Sequence, residues 1–87
     1  MSERGKIEFP TEFPIKVMGR KDVELARVTR AIVERHAGEL RDDQVRERPS
    51  GAGNFLAVTF VIQALSQEQL DNIYRELTAC DAVLMAL

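Results

Sequence analysis

Several residue types are scarce in this 87-residue chain, and each shortage narrows what the protein can be. Its one cysteine, Cys80, excludes an intrachain disulfide and favours a reducing, cytoplasmic setting, where we expect it to act as a small buried hydrophobe. Its one histidine, His36, lacks a second ligand at metal-site spacing, so we expect no metal and assign His36 to the end of a helix. The longest nearly apolar run, residues 55–62, is too short to cross a bilayer, and residues 1–12 do not resemble a signal peptide.

An excess of positive charge is also missing. The chain carries 12 lysines and arginines against 14 acidic residues, for a formal net charge of −2. Binding to nucleic acid or to an anionic membrane without sequence specificity needs a basic surface, so we expect neither partner. Recognition of RNA on a sheet also needs exposed aromatic side chains on both central strands. Phe55 is one such residue, but Lys16 and Met18 occupy the matching face of the first predicted strand.

The composition that remains is that of one small folded domain. Apolar residues make up 45% of the chain and charged residues 30%, which is typical of globular proteins. Residues 1–12 contain a proline and mixed charges, which predicts an irregular N-terminal arm. Residues 13–87 form a single predicted domain, because the chain has no room for two cores.

The spacing of apolar residues changes several times along the chain. Alternation over residues 13–19 predicts a strand, and helical spacing over residues 23–36 predicts a helix that ends at Gly38. The polar residues 42–48 fit either an edge strand or a loop. Residues 54–64 are apolar on both faces, which predicts a central strand.

The remaining elements complete a recognisable order. Ser66 and Gln69 have the spacing of a capping box at the start of a second helix, and the apolar residues 81–87 predict a final strand. The order is therefore strand, helix, strand, strand, helix, strand. It predicts an α+β fold, the ferredoxin-like βαββαβ sandwich, in which a four-stranded antiparallel sheet carries two helices on one face. The first and third strands lie in the middle.

The stretch RPSGAGNF, residues 48–55, is the one place that resembles a phosphate-binding loop. It lacks the lysine of a P-loop and the third glycine of a dinucleotide fingerprint, and a strand rather than a helix follows it. Glycine and asparagine accept positive φ at little cost, so the stretch predicts a hairpin turn. We expect no cofactor.

Several segments resemble the YbeD-like family of small bacterial proteins, whose biochemical function is unassigned. The matching segments, in register from about residue 7 to 87, are EFPTEFPIKVMG, ERHA, PSGAGNF and YRELTACDAVLMAL. The resemblance implies a fold similar to ACT regulatory domains, which bind small ligands and often pair edge to edge, and a bacterial cytoplasmic setting. Family genes often lie near lipoate-attachment genes. The resemblance supplies no catalytic residues, and Leu84 departs from the polar residue found there in at least one relative.

The turn between the first strand and the first helix is a candidate ligand site. A helix N-terminus directs backbone N–H groups outward, a glycine allows close approach, and two cations could hold a carboxylate or phosphate. In ACT domains, which this chain resembles, the corresponding turn binds ligand. The alternative is a solvated, capped turn without a ligand. The residues of this candidate site are Met18, Gly19, Arg20, Lys21 and Asp22.

The face of the sheet opposite the helices is a candidate interaction surface. It is predicted to be an apolar patch, and such patches usually contact another protein or a second copy of the chain. Alternatively, Ile7 and Phe9 of the arm fold back over it. The residues of the predicted patch are Met18, Phe55, Ala57, Val61 and Leu84, with Ala86 beside them.

These features favour binding over catalysis. The first hypothesis is a regulatory or adaptor domain that binds a protein partner, or itself, through the open sheet face. The alternative is a small-ligand sensor, for an amino acid or carboxylate, at the turn of residues 18–22. A remote third hypothesis is an acylphosphatase-like hydrolase using Arg20 and Asn54, although the glycine-rich pattern of that family is missing.

Overall fold

The computed structural model describes residues 8–21 and 23–87. In this part of the chain the strands form one antiparallel sheet in the order β2–β3–β1–β4, as the ferredoxin-like fold requires. This confirms the predicted fold class and the central position of the first and third strands. A short 3₁₀ turn, Asp42–Gln44, precedes the second strand. The elements are β1 (Thr11–Arg20), α1 (Val23–Ala37), β2 (Val45–Ser50), β3 (Phe55–Ala64), α2 (Gln67–Ala79) and β4 (Met85–Ala86).

The pairing of β1 with β3 is the longest contact in the sheet. It runs without interruption from Thr11 opposite Ala64 to Arg20 opposite Phe55. β2 pairs with the outer side of β3, and β4 pairs with β1 over only two residue positions. Because β1 begins at Thr11, the last two residues of the predicted arm belong to this strand.

The core lies between one face of the sheet and the two helices. Residues at alternate positions of β1 and β3 are almost completely buried, as their two-residue period predicted. Full burial of one such side chain contributes about 1.5–3 kcal/mol. The helices complete the core with residues at helical spacing. The buried core residues of these elements are Ile15, Val17, Val58, Phe60, Ile62 and Ala64 in the sheet, and Leu25, Ile32, Val33, Leu70, Ile73 and Leu77 in the helices.

The stretch that resembled a phosphate loop forms the hairpin between β2 and β3. Gly51, Ala52 and Gly53 all have positive φ, and the amide of Gly53 donates to the carbonyl of Ser50 at 3.1 Å. The ring of Phe55 lies against the turn, since a Cβ at position 51 would come within 2.6 Å of it. The hairpin prediction is therefore confirmed.

The ambiguous residues 42–48 contain both a turn and an edge strand. Gln44 joins them to the sheet, because its side-chain amide donates to the carbonyl of Val61 at 2.9 Å. Its side-chain oxygen accepts from the amide of Arg41 at 2.9 Å. The strand then begins at Val45, and its charged residues lie at the edge of the sheet.

Arg30 anchors the segment that follows α1. Its guanidinium donates to the carbonyl of Leu40, and it pairs with Glu34 at 3.2 Å and with Asp42 at 3.1 Å. The backbone amide of Leu40 donates to Glu34, and this bond, followed by that from Arg30, lowers the pKa of the Glu34 carboxyl. The Arg30–Glu34 pair joins residues one helical turn apart, whereas the contacts with Leu40 and Asp42 depend on the tertiary fold.

Glu76 of α2 joins the two helices. Its carboxylate accepts from Arg35 at 2.8 Å and lies 2.6 Å from the Nε2 atom of His36, both in the last turn of α1. The hydrogen bond from Arg35, followed by that from His36, lowers the pKa of Glu76. Nearby, the Gln69 side chain donates to the carbonyl of His36 at 3.0 Å.

We predict that Glu76→Gln destabilises the protein at neutral pH and changes its response to acid. The folded-state pKa of Glu76 is lowered, so its stabilising contribution is complete above the unfolded-state pKa of about 4.3 and is lost as the pH falls through the folded-state pKa. The difference in free energy of unfolding between wild type and variant should therefore shrink below about pH 4. Urea denaturation between pH 7 and pH 3 measures this difference.

The matched control is Glu39→Gln, which removes one carboxylate from an exposed position near the end of α1. It should leave the acid response unchanged. A gap between wild type and Glu76→Gln that stays constant from pH 7 to pH 3 would contradict the prediction.

Candidate functional site

The sheet face that points away from the helices carries side chains aligned in rows across the strands. In antiparallel pairing, residues directly opposite one another point to the same face. The buried positions of β1 and β3 face the helices, so the alternate positions form the open face. Three rows contain one residue each from β1, β3 and β2. They are Lys16–Thr59–Arg46, Met18–Ala57–Arg48 and Arg20–Phe55–Ser50.

These rows create a groove of about 300 Å³, which we name the basic groove. Its floor is β3, where the side chains are short or of medium length, and its walls are long cationic side chains from β1 and β2. Asp43 and Gln44 close one end. The walls are Lys16, Arg46 and Arg48, and the floor is Ala57, Thr59 and Val61.

In the described part of the chain, the cations of the basic groove lack the acidic partners that the arginines of α1 and of the segment after it have. Within the described residues, Lys16, Arg46 and Arg48 form no ion pair and no side-chain hydrogen bond. In contrast, the arginines of α1 and of the segment after it are paired with carboxylates. These paired arginines are Arg27 with Glu24, Arg30 with Glu34 and Asp42, Arg35 with Glu76, and Arg41 with Asp43.

This arrangement concentrates cationic side chains on the open face although the whole chain is acidic. Neighbouring like charges on a sheet repel one another, and an anion placed between them removes that repulsion. The sequence signal was present in VRERPS, where Arg46 and Arg48 alternate with other residues and so share a face. A net charge of −2 concealed it, because net charge says nothing about distribution.

An apolar strip lies on the β4 side of the open face. We define it as Met18 and Met85, which are directly opposite each other in the β1–β4 pair. Met85 is 50% exposed. The predicted surface placed Leu84 and Ala86 at this position, but the register puts Ala86 opposite the buried Val17, on the helix side. The face assignment of Ala86 was therefore wrong, because a shift of one residue reverses every side chain of a strand.

Four of the other predicted surface residues lie on the open face, whereas the fifth, Leu84, lies outside the paired strands. Met18, Phe55, Ala57 and Val61 are all half-buried there. Leu84 lies in the bend before β4, donates its amide to the carbonyl of Met18 at 2.8 Å and is 58% exposed. The open face is thus an apolar strip beside a basic groove, and not the continuous apolar patch that the sequence suggested.

Within the described residues, the N-terminal arm does not cover the basic groove of the open face. Phe9 is half-buried and packs against the buried core, and it does not line the basic groove. Ile7, the other residue expected to cover the face, lies outside the described residues.

The candidate ligand site at the β1–α1 turn is closely packed at its glycine. A Cβ at Gly19 would lie 2.4 Å from the carbonyl oxygen of Ala82 and 3.0 Å from the side chain of Leu25. The close approach that Gly19 permits is therefore made by this chain's own backbone. Arg20 and Lys21 are exposed, and the Lys21 amide donates to the carbonyl of Asn54 at 3.0 Å. Asp22 lies outside the described residues.

The two residues considered for catalysis, Arg20 and Asn54, are neighbours at one end of the sheet, because Arg20 is directly opposite Phe55. Asn54 belongs to the hairpin turn and precedes β3, while Arg20 ends β1 on the open face. Cys80 is half-buried and packs against the core. Among the residues that the structure describes, no three histidine, cysteine, aspartate or glutamate side chains are grouped to hold a metal ion. None of the helices in that part of the chain has the length and apolar character to span a membrane.

Comparison with known proteins identifies the family. The profile of the DUF493 proteins, described as proteins of unknown function, matches residues 4–87. The chain belongs to the DUF493 family. Similar proteins named UPF0250 include one from Janthinobacterium sp. (strain Marseille), 42% identical over 84% of this chain and 80% of the relative. Another, from Ralstonia nicotianae, is 41% identical over 93% of this chain and 84% of the relative. These matches confirm the resemblance seen in the sequence.

Two solved structures share the fold at low sequence identity. Protein HP0495 from H. pylori aligns with a TM-score of 0.75 at 13% identity, over 100% of this chain and 94% of its own. The C-terminal domain of the MgtC protein from Mycobacterium tuberculosis aligns with a TM-score of 0.63 at 15% identity, over 93% and 88% of the two chains. At such identities the likeness concerns the fold alone.

We predict that Gly19→Ala destabilises the protein by about 1–3 kcal/mol, the usual cost of overpacking. The added methyl group would displace the segment containing Ala82 or the side chain of Leu25. Urea denaturation gives the free energy of unfolding. Gly53→Asn is the control, since nothing lies within 4 Å of a Cβ there and asparagine accepts positive φ, so we expect a loss of about 1 kcal/mol or less. Wild-type stability in Gly19→Ala would refute the close packing.

We also predict that the cations of the basic groove add little to stability. Arg46→Gln and Arg48→Gln should each change the free energy of unfolding by less than about 0.5 kcal/mol, as for surface residues without partners. Arg30→Gln should destabilise clearly, because it removes the contacts with Leu40, Glu34 and Asp42. Parallel urea titrations of the three variants test this contrast, and equal losses in all three would contradict it.

Proposed function

We propose that this domain acts by binding rather than by catalysis, as a cytoplasmic regulatory or adaptor module. Its open sheet face docks an acidic element of a protein partner. One observation carries the proposal: the basic groove has three cations without an acidic partner among the described residues, directly beside an exposed apolar strip.

The charges of the groove define the chemistry of the partner. Lys16 and Arg46 flank Thr59 in one row, and Arg48 stands in the next row on the same strand as Arg46. A carboxylate that enters this groove forms charge-assisted hydrogen bonds, which are stronger than neutral ones. Electrostatic complementarity of this kind also accelerates encounter and excludes basic partners.

The width of the face defines the shape of the partner element. One row crosses the sheet from Arg48 through Ala57 and Met18 to Met85. Four neighbouring strands are separated by three spacings of about 4.8 Å, so this row is about 14 Å wide. An α-helix with its side chains is about 10–12 Å across. An amphipathic helix with acidic residues along one side and apolar residues along the other therefore matches the groove and the apolar strip together.

A second copy of this chain is a poorer occupant of the same face. A symmetric dimer brings the same patch of both subunits together, which would place two basic grooves against each other. Such like-charge contacts are unfavourable across an interface. The alternative of a small-ligand site at residues 18–22 has less support, because the backbone at Ala82 fills the space beside Gly19.

The test is affinity capture from native cell extract with wild type and with the charge-reversal variant Arg46→Glu/Arg48→Glu. We expect the wild type to retain a protein that the variant loses, and that is released as salt is raised, because exposed charges are screened. The purified partner should bind wild type in calorimetry through a segment that is acidic and amphipathic. Met85→Lys should weaken this binding independently of the charge reversal.

The control is Arg75→Glu, which reverses one charge on exposed α2, where the test variant reverses two on the open face. It should capture the partner as the wild type does. Equal binding of the purified partner to wild type and to Arg46→Glu/Arg48→Glu would overturn the proposal. So would equal loss in the Arg75→Glu control, because net charge and not the open face would then govern binding.

A further inference from the structure

We propose that the basic groove contains a binding subsite for the phosphate group of a small organic phosphate. The subsite is formed by the ammonium group of Lys16, the guanidinium group of Arg46 and the hydroxyl group of Thr59. The existence of the subsite does not depend on the proposed function. Its regulatory consequence, competition with the acidic partner for the same groove, rests on the proposed function.

The three groups are placed together by the register of the sheet. Thr59 is directly opposite Lys16 on one side and Arg46 on the other. Two strand spacings of about 4.8 Å separate the backbones of the two cationic residues, and their long side chains rise on either side of the shorter threonine. All three side chains line one groove of about 300 Å³.

Each of the three groups has hydrogen-bonding capacity that the fold does not use. Within the described residues, Lys16 and Arg46 have no ion-pair partner, and the hydroxyl group of Thr59 makes no hydrogen bond. The other three threonines, in contrast, donate to backbone carbonyls: Thr11 to Glu12, Thr29 to Leu25 and Thr78 to Tyr74. Thr59 is also half-buried, so its hydroxyl lies on the floor of the groove between two positive charges.

This donor set fits phosphate better than a single carboxylate. A phosphate monoester carries nearly two negative charges at neutral pH and three terminal oxygens that accept hydrogen bonds. Two cations and one hydroxyl match both the charge and the number of acceptors. The guanidinium group of Arg46 can also bind two oxygens at once, which favours planar, bidentate recognition.

The other residues of the groove limit the size and charge of the organic part of the ligand. Beyond Thr59 the floor is Ala57 on one side and Val61 on the other, both of which present aliphatic surface. Asp43 at one end of the groove disfavours a second anionic group there. The volume is at the lower limit of small-molecule sites, which are about 300–1,000 Å³. These features favour a small monophosphate with a compact organic part.

The test is an amide-shift titration of the isotopically labelled protein at constant pH and ionic strength. Inorganic phosphate and glycerol 3-phosphate are the probes, and acetate is the carboxylate comparison. We expect saturable shifts centred on Lys16, Arg46 and Thr59 with both phosphates, and weaker binding of acetate. Tighter binding of glycerol 3-phosphate than of inorganic phosphate would support a ligand with an organic part. Equal affinity would restrict the site to the free ion and refute the organic phosphate.

Three variants locate the subsite, and the spectrum of each also reports whether it is folded. Arg46→Gln and Thr59→Val should each weaken phosphate binding about tenfold, the usual effect of losing one hydrogen bond to a charged group. Arg75→Gln, which removes one charge from α2, should bind as the wild type does. Shifts that do not saturate, or that are the same in Arg46→Gln and Arg75→Gln, would overturn the subsite.

The two proposals fail separately. If phosphate does not bind but Arg46→Glu/Arg48→Glu still loses its partner, the docking function stands and the subsite falls. If phosphate binds in the groove but the partner binds the charge-reversal variant normally, the subsite stands without its regulatory role.

Discussion

The rest of this structure depends on the register between β1 and β3. These two strands are each 10 residues long and pair over their whole length. The pairing gives the sheet two chemically different faces, because alternate residues of both strands are sorted together. One face receives both helices and becomes the core, and the other receives the cations of the basic groove and the apolar strip. A shift of one residue would exchange the two faces, so that the apolar core residues would face solvent and the cations would face the helices.

The distribution of charge follows from the same pairing. The helices keep their arginines balanced by carboxylates, as in the group formed by Arg35, His36 and Glu76. The open face keeps its cations unbalanced within the described residues. Replacing Arg46 and Arg48 by neutral side chains is expected to leave the free energy of unfolding almost unchanged, since exposed charges without partners contribute little to folding. Charges at Arg46 and Arg48 also protect the edge strand β2 from pairing with another sheet.

Periodicity alone was sufficient to predict the fold and which residues of β1 and β3 point to the open face. The two-residue period of β1 and β3, the helical period of α1 and α2 and the glycines of the hairpin are local signals, and the structure agrees with each. The face of β4 could not be predicted, because a strand of two paired residues has too little pattern to fix its register. The basic groove was missed for a different reason. Lys16 and Arg46 are distant in sequence and meet only through Thr59.

Lys16 also connects the groove to the far edge of the sheet. Its backbone amide donates to the carbonyl of Leu87 at 3.0 Å, and its carbonyl accepts from the amide of Leu87 at 2.7 Å. The hydroxyl of Tyr74 donates to the same Leu87 carbonyl at 2.8 Å, so α2 shares this attachment. Fraying of the segment around Leu87 would thus loosen the wall of the groove.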